Sequence, residues 1–331
     1  MPIKSLVAVS LAALALAAPG AQARGKYVRF DVSGARATFP VSMNAGGALA
    51  GDSYGTSYYQ GFLRKPDGKI ITFAAPNALD TRPRSINDGG AIAGWFDDAQ
   101  NQNHGFLRAP DGTMTVFDVP GDDHTSVAAM NKSGWITGDA DLDYGAIHGF
   151  VRRPNGKITV FDPAGSALTL PYAINDAGVV AGTWGDAKGT LHGFLRAPDG
   201  TITSFDAPNS TATLGECINA EGVIAGEYSG GGVAGGFVRT VDGTFEEFAF
   251  PVANNLPAEV LGINTKDTVT GFYTDNTGKS HAFERRAGGA VEDISPKNAA
   301  GAQAVAINAA RLIAGYYEDK QKLWHGFIRM P

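Results

Sequence analysis

Short apolar runs alternate with glycine- and asparagine-rich turns along almost the whole chain. Residues 173–182 read AINDAGVVAG, and residues 192–196, which follow after a loop, read HGFLR. The asparagine of the first phrase recurs at steps of 43 to 45 residues, as Asn44, Asn87, Asn131, Asn175, Asn219, Asn264 and Asn308. A repeat of this length, built from runs of strand length, is typical of a β-propeller or another repeat array.

Each repeat predicts four strands, which we call a, b, c and d. Strand a ends at the asparagine, a tight turn leads to strand b, and a longer loop leads to strand c, which carries a Phe-x-Arg motif. Dipeptides such as Asp111-Gly112 predict a hairpin between strands c and d. Folding about this dipeptide pairs Phe106 with Phe117, and the other repeats allow the same register. The sequence therefore predicts a cross-strand aromatic pair, worth about 0.2–1 kcal/mol, in the first five repeats, and Phe283 opposite Ile294 in the sixth.

The turn between strands a and b ends with glycine in five repeats, which suits a left-handed backbone conformation. Asp267 and Arg311 replace this glycine in the last two repeats. We therefore expect a different turn at these two positions.

The two ends of the repeat array complement each other. The chain stops after a strand c at residues 325–329, whereas residues 27–31 have the pattern of a strand d with no strand c before it. Pairing Phe30 with Phe327 would close a ring and leave no open sheet edge between the termini. The sequence therefore predicts an all-β fold in which residues 24–331 form one domain. This domain is a seven-bladed β-propeller of repeats of about 44 residues, closed by its N-terminal strand.

Residues 1–23 predict a cleaved signal peptide, since Lys4 precedes an apolar run that ends in a small-residue cleavage site. The run is too short to span a bilayer, which needs about 20 residues. Removing Lys4 changes the net charge from -6 to -7, and no basic patch of a nucleic-acid binder is present. Cys217 is the only cysteine, so no intramolecular disulfide can form. We expect a secreted or periplasmic monomer without a membrane span.

The phrase Ile-Asn-x-x-Gly-x-Val-x-Gly occurs together with His-Ala-Phe at residues 281–283 and with His-Gly-Phe in four other repeats. The combination resembles the bacterial extracellular HAF-repeat proteins over essentially the whole predicted propeller. The resemblance implies export and a repeated β architecture. It carries no reaction, ligand or catalytic residue to this chain.

The repeated histidines suggest a structural network more than a metal or catalytic cluster. Aspartates follow three of them by fourteen residues, in the pairs His104 and Asp118, His148 and Asp162, and His192 and Asp206. Ring closure would give His325 the partner Asp31, and His281 would have Ser295. The arginines of the Phe-x-Arg motifs similarly suggest stacking, or a carboxylate partner, between blades.

Candidate binding residues are those that break the repeat. Strand a is expected to line a channel, and Arg84, Tyr172 and Glu216 replace small or aliphatic residues there, with His124 in a nearby loop. Trp95 and Trp184 follow the strand-b glycine, where aromatic side chains would either pack between blades or stack on sugar rings. The alternative explanation for the departures on strand a is neutral drift at positions that tolerate substitution.

Asp139, Asp141 and Asp143 alternate in a predicted loop and would offer oxygen ligands to one calcium ion. The alternative is a solvated acidic loop, because the glycine and the closing acid of an EF-hand are not in register. Calcium is therefore an open candidate cofactor.

The leading functional prediction is a non-enzymatic binding or scaffold module that recognises a polysaccharide or a protein on the long-loop face. The rival is a propeller hydrolase or lyase with its site at the channel mouth and calcium as its candidate cofactor. Carboxylates and histidine converging around Arg84, Tyr172, Glu216 and His124 would favour the enzyme, and a flat aromatic face would favour binding. Fold alone does not choose between them.

Overall fold

A computed structural model describes residues 25–122, 124–142, 146–252 and 258–331. These residues form strands and turns, and none of them is helical. Among them there is accordingly no helix of the length and apolarity needed to cross a bilayer. The predicted signal peptide lies outside the described residues and remains a prediction.

The strands group into units of four, preceded by β1 (Lys26–Phe30). The first unit comprises β2 (Ala37–Met43), β3 (Leu49–Tyr54), β4 (Tyr59–Arg64) and β5 (Ile70–Phe73). The second comprises β6 (Asp80–Ile86), β7 (Ile92–Asp97), β8 (Asn103–Arg108) and β9 (Met114–Phe117). The third comprises β10 (Ser126–Met130), β11 (Ile136–Asp141), β12 (Ile147–Arg152) and β13 (Ile158–Phe161). The fourth comprises β14 (Ser166–Ile174), β15 (Val180–Asp186), β16 (Leu191–Arg196) and β17 (Ile202–Phe205).

The remaining units repeat this order. The fifth comprises β18 (Ala212–Ile218), β19 (Ile224–Gly230), β20 (Val233–Arg239) and β21 (Phe245–Phe248). The sixth comprises β22 (Ala258–Ile263), β23 (Val269–Thr274), β24 (Ser280–Arg285) and β25 (Val291–Asp293). The last comprises β26 (Gly301–Ile307), β27 (Ile313–Glu318) and β28 (Trp324–Met330).

Consecutive strands of a unit pair antiparallel, and β1 supplies the partner that β28 would otherwise lack. In this pairing Phe30 lies opposite Gly326 and Arg29 lies opposite Phe327, so the predicted pairing of Phe30 with Phe327 is wrong by one residue. The first strand of each unit contacts the first strand of the next unit, and β26 contacts β2.

The c–d hairpins have the same one-residue difference from the prediction. Phe117 lies opposite Gly105, and Phe106 lies opposite Val116. The reason is the turn, because Ala109 and Thr113 enclose a three-residue loop in which Gly112 has a φ of 98°. This is a type I turn followed by a left-handed glycine, not the two-residue turn assumed from the sequence. Since a slip of one residue exchanges the faces of a strand, the two phenylalanines point to opposite sides of the sheet.

The phenylalanines therefore pack between units and not within hairpins. The strand-d ring of one unit meets the strand-c ring of the next edge-on, as Phe73 meets Phe106 with centroids 6.3 Å apart. The strand-c rings are the most deeply buried large side chains: Phe62, Phe106, Phe150, Phe194, Phe237, Phe283 and Phe327. Burying each such ring contributes about 1.5–3 kcal/mol. The apolar core is thus a series of interfaces between neighbouring units.

The Phe-x-Arg arginines stack at the same interfaces, as one of the two predicted alternatives required. Each guanidinium lies 4.5 to 4.9 Å from the ring of the preceding strand d, in the pairs Arg64–Phe30, Arg108–Phe73, Arg152–Phe117, Arg196–Phe161, Arg239–Phe205 and Arg285–Phe248. Arg329 instead pairs with the buried carboxylate of Glu284, at 2.9 Å.

The repeated asparagine links one unit to the next. The Asn175 side chain accepts a hydrogen bond from the Val179 N–H and donates one to the Asn219 carbonyl of the next unit. In the last unit, Asn308 donates to the carbonyl of Ala45 in the first. Asp267 and Arg311 have φ values of 54° and 62°, with the same turn hydrogen bonds as the glycines elsewhere. The expectation of a different turn at these positions is therefore wrong.

A β-bulge interrupts the first strand of every unit, three residues before the asparagine. The repeated glycine of strand b lies beside this bulge, and a Cβ on Gly226 would be 1.8 Å from the Leu214 carbonyl oxygen. Close approach of two backbones thus explains the glycine. We call the skipped positions the bulge residues, and they are Val41, Arg84, Ala128, Tyr172, Glu216, Leu261 and Val305.

Candidate functional site at the centre of the molecule

Three of the predicted binding residues, Arg84, Tyr172 and Glu216, are bulge residues. A bulge leaves one residue out of the ladder and redirects its side chain, and bulges often lie beside functional sites. The first strands are the innermost strands of their sheets, so these side chains lie towards the centre of the molecule. The sequence identified the positions as departures from the repeat but gave no sign of the bulge.

Tyr172 and Glu216 belong to a group of acids that extends over non-adjacent units. Tyr172 interacts electrostatically with Glu216, Glu227 and Glu259 of the fifth and sixth units and with Asp139 of the third. Side chains from four units can interact in this way only where the units meet. We call Tyr172, Glu216, Glu227 and Glu259 the acidic group.

Burial is the largest influence on the acidic group. It raises the pKa of Glu216 to about 8, with a further contribution from the neighbouring charge of Glu259. Burial and Glu216 likewise raise the pKa of Glu227, although the Val260 N–H donates a hydrogen bond to its carboxylate. Burial also raises the pKa of Glu259 and that of Tyr172. At neutral pH Glu216 is therefore mainly protonated and can donate a hydrogen bond.

A second group, which we call the arginine group, lies on the first two units. Arg82 is 3.7 Å from Asp52 and 3.5 Å from Asp80, and its guanidinium lies over the ring of Tyr59. Arg84 lies over Trp95, with 5.5 Å between the guanidinium carbon and the ring centroid. The group therefore comprises Arg82, Arg84, Asp52, Asp80, Tyr59 and Trp95.

Tyr316 of the last unit connects the two groups. Burial raises its pKa to about 12, and it interacts electrostatically with Glu259, Asp52 and Arg84. Its hydroxyl donates a hydrogen bond to Gln303 at 2.5 Å. Burial also raises the pKa of Asp52 to about 6, although Arg82 and Arg84 lower it. The centre of the molecule thus combines carboxyl groups, two guanidinium groups and aromatic rings.

His124 lies at the edge of this centre, not within it. Its side chain is exposed, and its backbone forms a β-bridge with Asn103. Burial raises the pKa of Asp97, and the nearby His124 partly offsets this rise. Trp184 is farther away, because it stacks on His192 with centroids 4.6 Å apart. Of the six predicted binding residues, the structure brings four together: Arg84, Tyr172, Glu216 and Trp95.

The predicted calcium loop starts within a strand, because Asp139 and Asp141 belong to β11. Burial and Asp122 raise the pKa of Asp139 to about 6. Asp143 lies outside the described residues. Among the residues that are described, no group of three or more His, Cys, Asp or Glu side chains is arranged to hold a metal ion. The calcium hypothesis remains a prediction that depends on Asp143.

The predicted His–Asp pairs form. His104, His148, His192 and His325 contact Asp118, Asp162, Asp206 and Asp31 at 2.7 to 2.9 Å. The partner of His281 is Asp293 at 2.9 Å, so the predicted pairing with Ser295 is wrong. Ser295 instead accepts the N–H of Ala282. Each of these pairs joins strand c to the end of strand d, which supports a structural role.

A second aspartate, six residues before the histidine, was not predicted. Asp275 contacts His281 at 2.9 Å and Asp319 contacts His325 at 2.9 Å, each from the loop between strands b and c. Four of the histidines also pack on the aromatic residue of the neighbouring strand, in the pairs Phe96–His104, Trp184–His192, Tyr273–His281 and Tyr317–His325. These four aromatic residues therefore pack within their own units.

The two aspartates that contact His281, Asp275 and Asp293, predict a pH-dependent contribution to stability. Hydrogen bonding to Asp293 raises the pKa of His281, and the pKa values of Asp275 and Asp293 are lowered by hydrogen bonds that include those from His281. The stabilisation is complete below the unfolded histidine pKa of about 6.5 and is lost as the pH rises through the folded value. It is also lost when the pH falls below about 4, as the carboxylates become protonated.

We therefore expect the His281→Phe variant, which keeps the contact with Tyr273, to lower the melting temperature at pH 5.5 more than at pH 8.5. The difference should be about 1–2 °C, because accessible ion pairs contribute about 1 kcal/mol or less. Scanning calorimetry at both pH values would measure it, with the exposed, uncharged change Val116→Ala as a control. Equal losses at the two pH values would contradict the ion pair.

The asparagine turns of all the units line a depression of about 250 Å³. The Ile or Met before each asparagine also lines it. These residues follow the repeat, and the charged bulge residues are not among them. The departures from the repeat thus lie apart from this depression.

Antiparallel four-stranded units that meet through their first strands around a polar centre define a β-propeller. Solved structures agree with this class. A virginiamycin B lyase from Staphylococcus aureus superimposes with a TM-score of 0.62 at 14% identity, covering 93% of this chain and 100% of that chain. The β-propeller domain of the Trilobed protease from Pyrococcus furiosus gives 0.60 at 11% identity, covering 88% and 94%. TolB from Acinetobacter baumannii gives 0.51 at 8% identity, covering 85% and 79%.

At these identities the likeness establishes the propeller fold and nothing about activity. No family model matches the chain, and no curated protein matches it significantly in sequence. The resemblance to HAF-repeat proteins therefore remains a prediction.

Several residues of the centre were not found from the sequence: Asp52, Arg82, Glu227, Glu259 and Tyr316. A signal was available for four of them. Asp52, Glu227 and Tyr316 each follow the repeated glycine of strand b, and Arg82 lies two residues before Arg84. Comparing the repeats position by position at these two sites would have shown that both vary in charge.

Proposed function

We propose that this protein is an exported β-propeller that binds an oligosaccharide in its central channel. The single observation that carries the proposal is the convergence of the repeat-breaking residues. Arg84, Tyr172 and Glu216 come from different units. Tyr172 and Glu216 both interact electrostatically with Glu259, and Tyr316 interacts with both Glu259 and Arg84. Neutral drift would scatter such departures without regard to one another.

The proposal includes a closed ring of seven blades. Its support is the pairing of β1 with β28 and the contact of β26 with β2. Asn308 also donates to the first unit, although its acceptor is the Ala45 carbonyl, one residue beyond the asparagine carbonyl used in the links between consecutive units. Export rests on the predicted signal peptide at residues 1–23, which also suits a HAF-repeat protein.

A saccharide suits the chemistry of the centre. The hydrogen-bond donors of the centre are protonated Glu216, the Tyr172 hydroxyl and the guanidinium groups of Arg82 and Arg84. Its acceptors include the carboxylates of Asp52 and Glu259. Tyr59 and Trp95 add aromatic surface, although Arg82 and Arg84 lie over their rings. Binding sites usually combine a few convergent polar groups with aromatic walls in this way. A protein ligand would more naturally use the longer loops, where the described aromatic residues pack on histidines.

A hydrolase or lyase is the second candidate, and the acidic group favours it. Glu216 with its raised pKa could act as a general acid, and Glu259, whose side chain is more exposed, could act as a base. A carboxyl group held protonated by burial, beside one that is more exposed, is an arrangement used in acid–base catalysis. The convergence of these carboxyl groups meets the criterion set from the sequence, except that His124 lies at the edge.

Thermal unfolding with a panel of neutral and acidic oligosaccharides tests the binding proposal. A ligand at 100 times its Kd stabilises by about 2.7 kcal/mol, which is worth a few degrees in a domain of this size. We expect Tyr172→Phe and Glu216→Gln to remove the shift, and Glu221→Gln, an exposed change on the turn of the same unit, to leave it intact. A shift that survives both central variants would place the ligand elsewhere, and no shift with any oligosaccharide would contradict the saccharide proposal.

Chromatography of the same mixtures tests the second candidate. Cleavage products that disappear with Glu216→Gln while the thermal shift remains would establish an enzyme. Unchanged oligosaccharides at every pH between about 5 and 9 would leave a binding protein, since this range spans the pKa of Glu216.

A further inference from the structure

Arg84 is a central cation without a close polar partner in the described part of the chain. It makes no hydrogen bond, and no ion pair within 4.0 Å, with any residue that the structure describes. Its guanidinium instead lies over the ring of Trp95, at 5.5 Å. The side chain is half-buried, so its five N–H donors are partly withdrawn from water without being satisfied by protein.

The neighbouring arginines lie closer to acceptors than Arg84 does. Arg82, two residues earlier on the same strand, lies between Asp52 and Asp80 and over the ring of Tyr59. The buried Arg108 stacks on Phe73, and one of its nitrogens donates to the Ala109 carbonyl at 3.3 Å. Each of these arginines has an acceptor, which Arg84 lacks.

The nearest acceptor does not neutralise Arg84. Asp52 attracts it electrostatically, but the Asp52 carboxylate is the one that Arg82 contacts. Across the centre, Tyr172 is uncharged at neutral pH, and burial keeps Glu216 mainly protonated. The bulge of β6 thus directs towards the channel a guanidinium that has no close counter-ion among the described residues.

We propose that Arg84 binds a carboxylate of the ligand, so that the preferred ligand is an acidic oligosaccharide such as a uronate. The planar guanidinium matches a carboxylate with two parallel hydrogen bonds, and Trp95 holds its plane. This inference rests on the proposed function, because it requires that a saccharide enters the channel. It adds which class of saccharide is selected.

The test compares two matched ligands, trigalacturonate and neutral galactotriose, by calorimetric titration of the purified protein at pH 7. We expect trigalacturonate to bind at least 10-fold more tightly, as one good charged contact is worth about 1.4 kcal/mol or more. Arg84→Gln should abolish the preference and Arg84→Lys should retain part of it. The matched control is Arg153→Gln, because Arg153 also lies over a tryptophan, Trp135, but is exposed outside the centre.

The outcomes separate this inference from the proposed function. Equal affinity for the two trisaccharides would overturn the carboxylate preference and leave saccharide binding in place. A preference that survives Arg84→Gln would assign the carboxylate to another residue. If neither trisaccharide binds but another neutral saccharide shifts the melting temperature, the uronate inference alone would be overturned. No binding of any saccharide would overturn both.

Discussion

Replacing Glu284 by Leu should destabilise the protein by about 3–5 kcal/mol, because a buried ion pair would lose one partner. Glu284 is almost fully buried, contacts Arg329 at 2.9 Å, and accepts hydrogen bonds from Arg311, one of them at 3.1 Å. The change would leave two guanidinium groups without a carboxylate. A loss of this size lowers the melting temperature by about 6–15 °C, and scanning calorimetry would measure it.

The neighbouring substitutions explain why this unit uses a carboxylate at all. In the other units the corresponding arginine stacks on the strand-d phenylalanine of the preceding unit, but here Ile294 takes that position. Ile294 replaces the phenylalanine of the other units because Ala282 replaces the glycine that lies beneath the ring there. A Cβ on the equivalent glycines would lie 2.2 to 2.8 Å from the phenylalanine ring. Ala282, Ile294 and Glu284 are thus three linked substitutions relative to the other units.

The control follows from that connection. A variant carrying Ala282→Gly, Glu284→Leu, Ile294→Phe and Arg311→Gly restores the pattern of the other units. It should recover most of the stability that Glu284→Leu loses, since Arg329 would regain an aromatic ring and the left-handed turn residue would again be glycine. If the combined variant were as unstable as the sum of its parts, the compensation would not exist.

Replacing Phe30 by Ala should destabilise the protein as much as replacing Phe117, by about 3–5 kcal/mol in each case. The two rings occupy equivalent places: Phe30 meets Phe62 at 6.2 Å and Phe117 meets Phe150 at 6.5 Å. Arg64 and Arg152 stack on them, at 4.9 and 4.6 Å. In a closed ring the junction between the ends is one more interface, so its loss costs the same.

Chemical denaturation of the two variants measures this, with the exposed Val116→Ala as a control expected to lie within about 0.5 kcal/mol of the parent. An open array gives a different result, because a strand near one end can separate without unfolding the rest. A cost for Phe30→Ala below a quarter of that for Phe117→Ala would therefore contradict the closed ring.

Much of the fold could be predicted because the repeat reports it many times over. Seven copies of one phrase average out the ambiguity of any single strand, so the order of the strands, the His–Asp pairs and the burial of Cys217 were all predictable. Reading the ends of the chain as parts of one unit also identified the pairing of β1 with β28.

The candidate site could be predicted only in part. Departures from the repeat marked Arg84, Tyr172 and Glu216, since these positions otherwise carry small or aliphatic residues. Their partners in the acidic and arginine groups come from strands up to two units away in the sequence. No local pattern could join them. His124 was included because its loop was expected to be near, and Trp184 because it follows the strand-b glycine, and both lie outside the centre.

By itself the sequence determined which residues repeat, and therefore the strand order and the positions where the chain departs from its own pattern. The tertiary structure alone decided the register and the direction of the side chains. A left-handed glycine in a three-residue turn shifts each hairpin by one residue. This moves Phe117 from its own hairpin to the next unit. A bulge in the first strand likewise turns Arg84 towards the centre. Both are one-residue differences in backbone geometry, and a period-two strand converts each of them into a change of face.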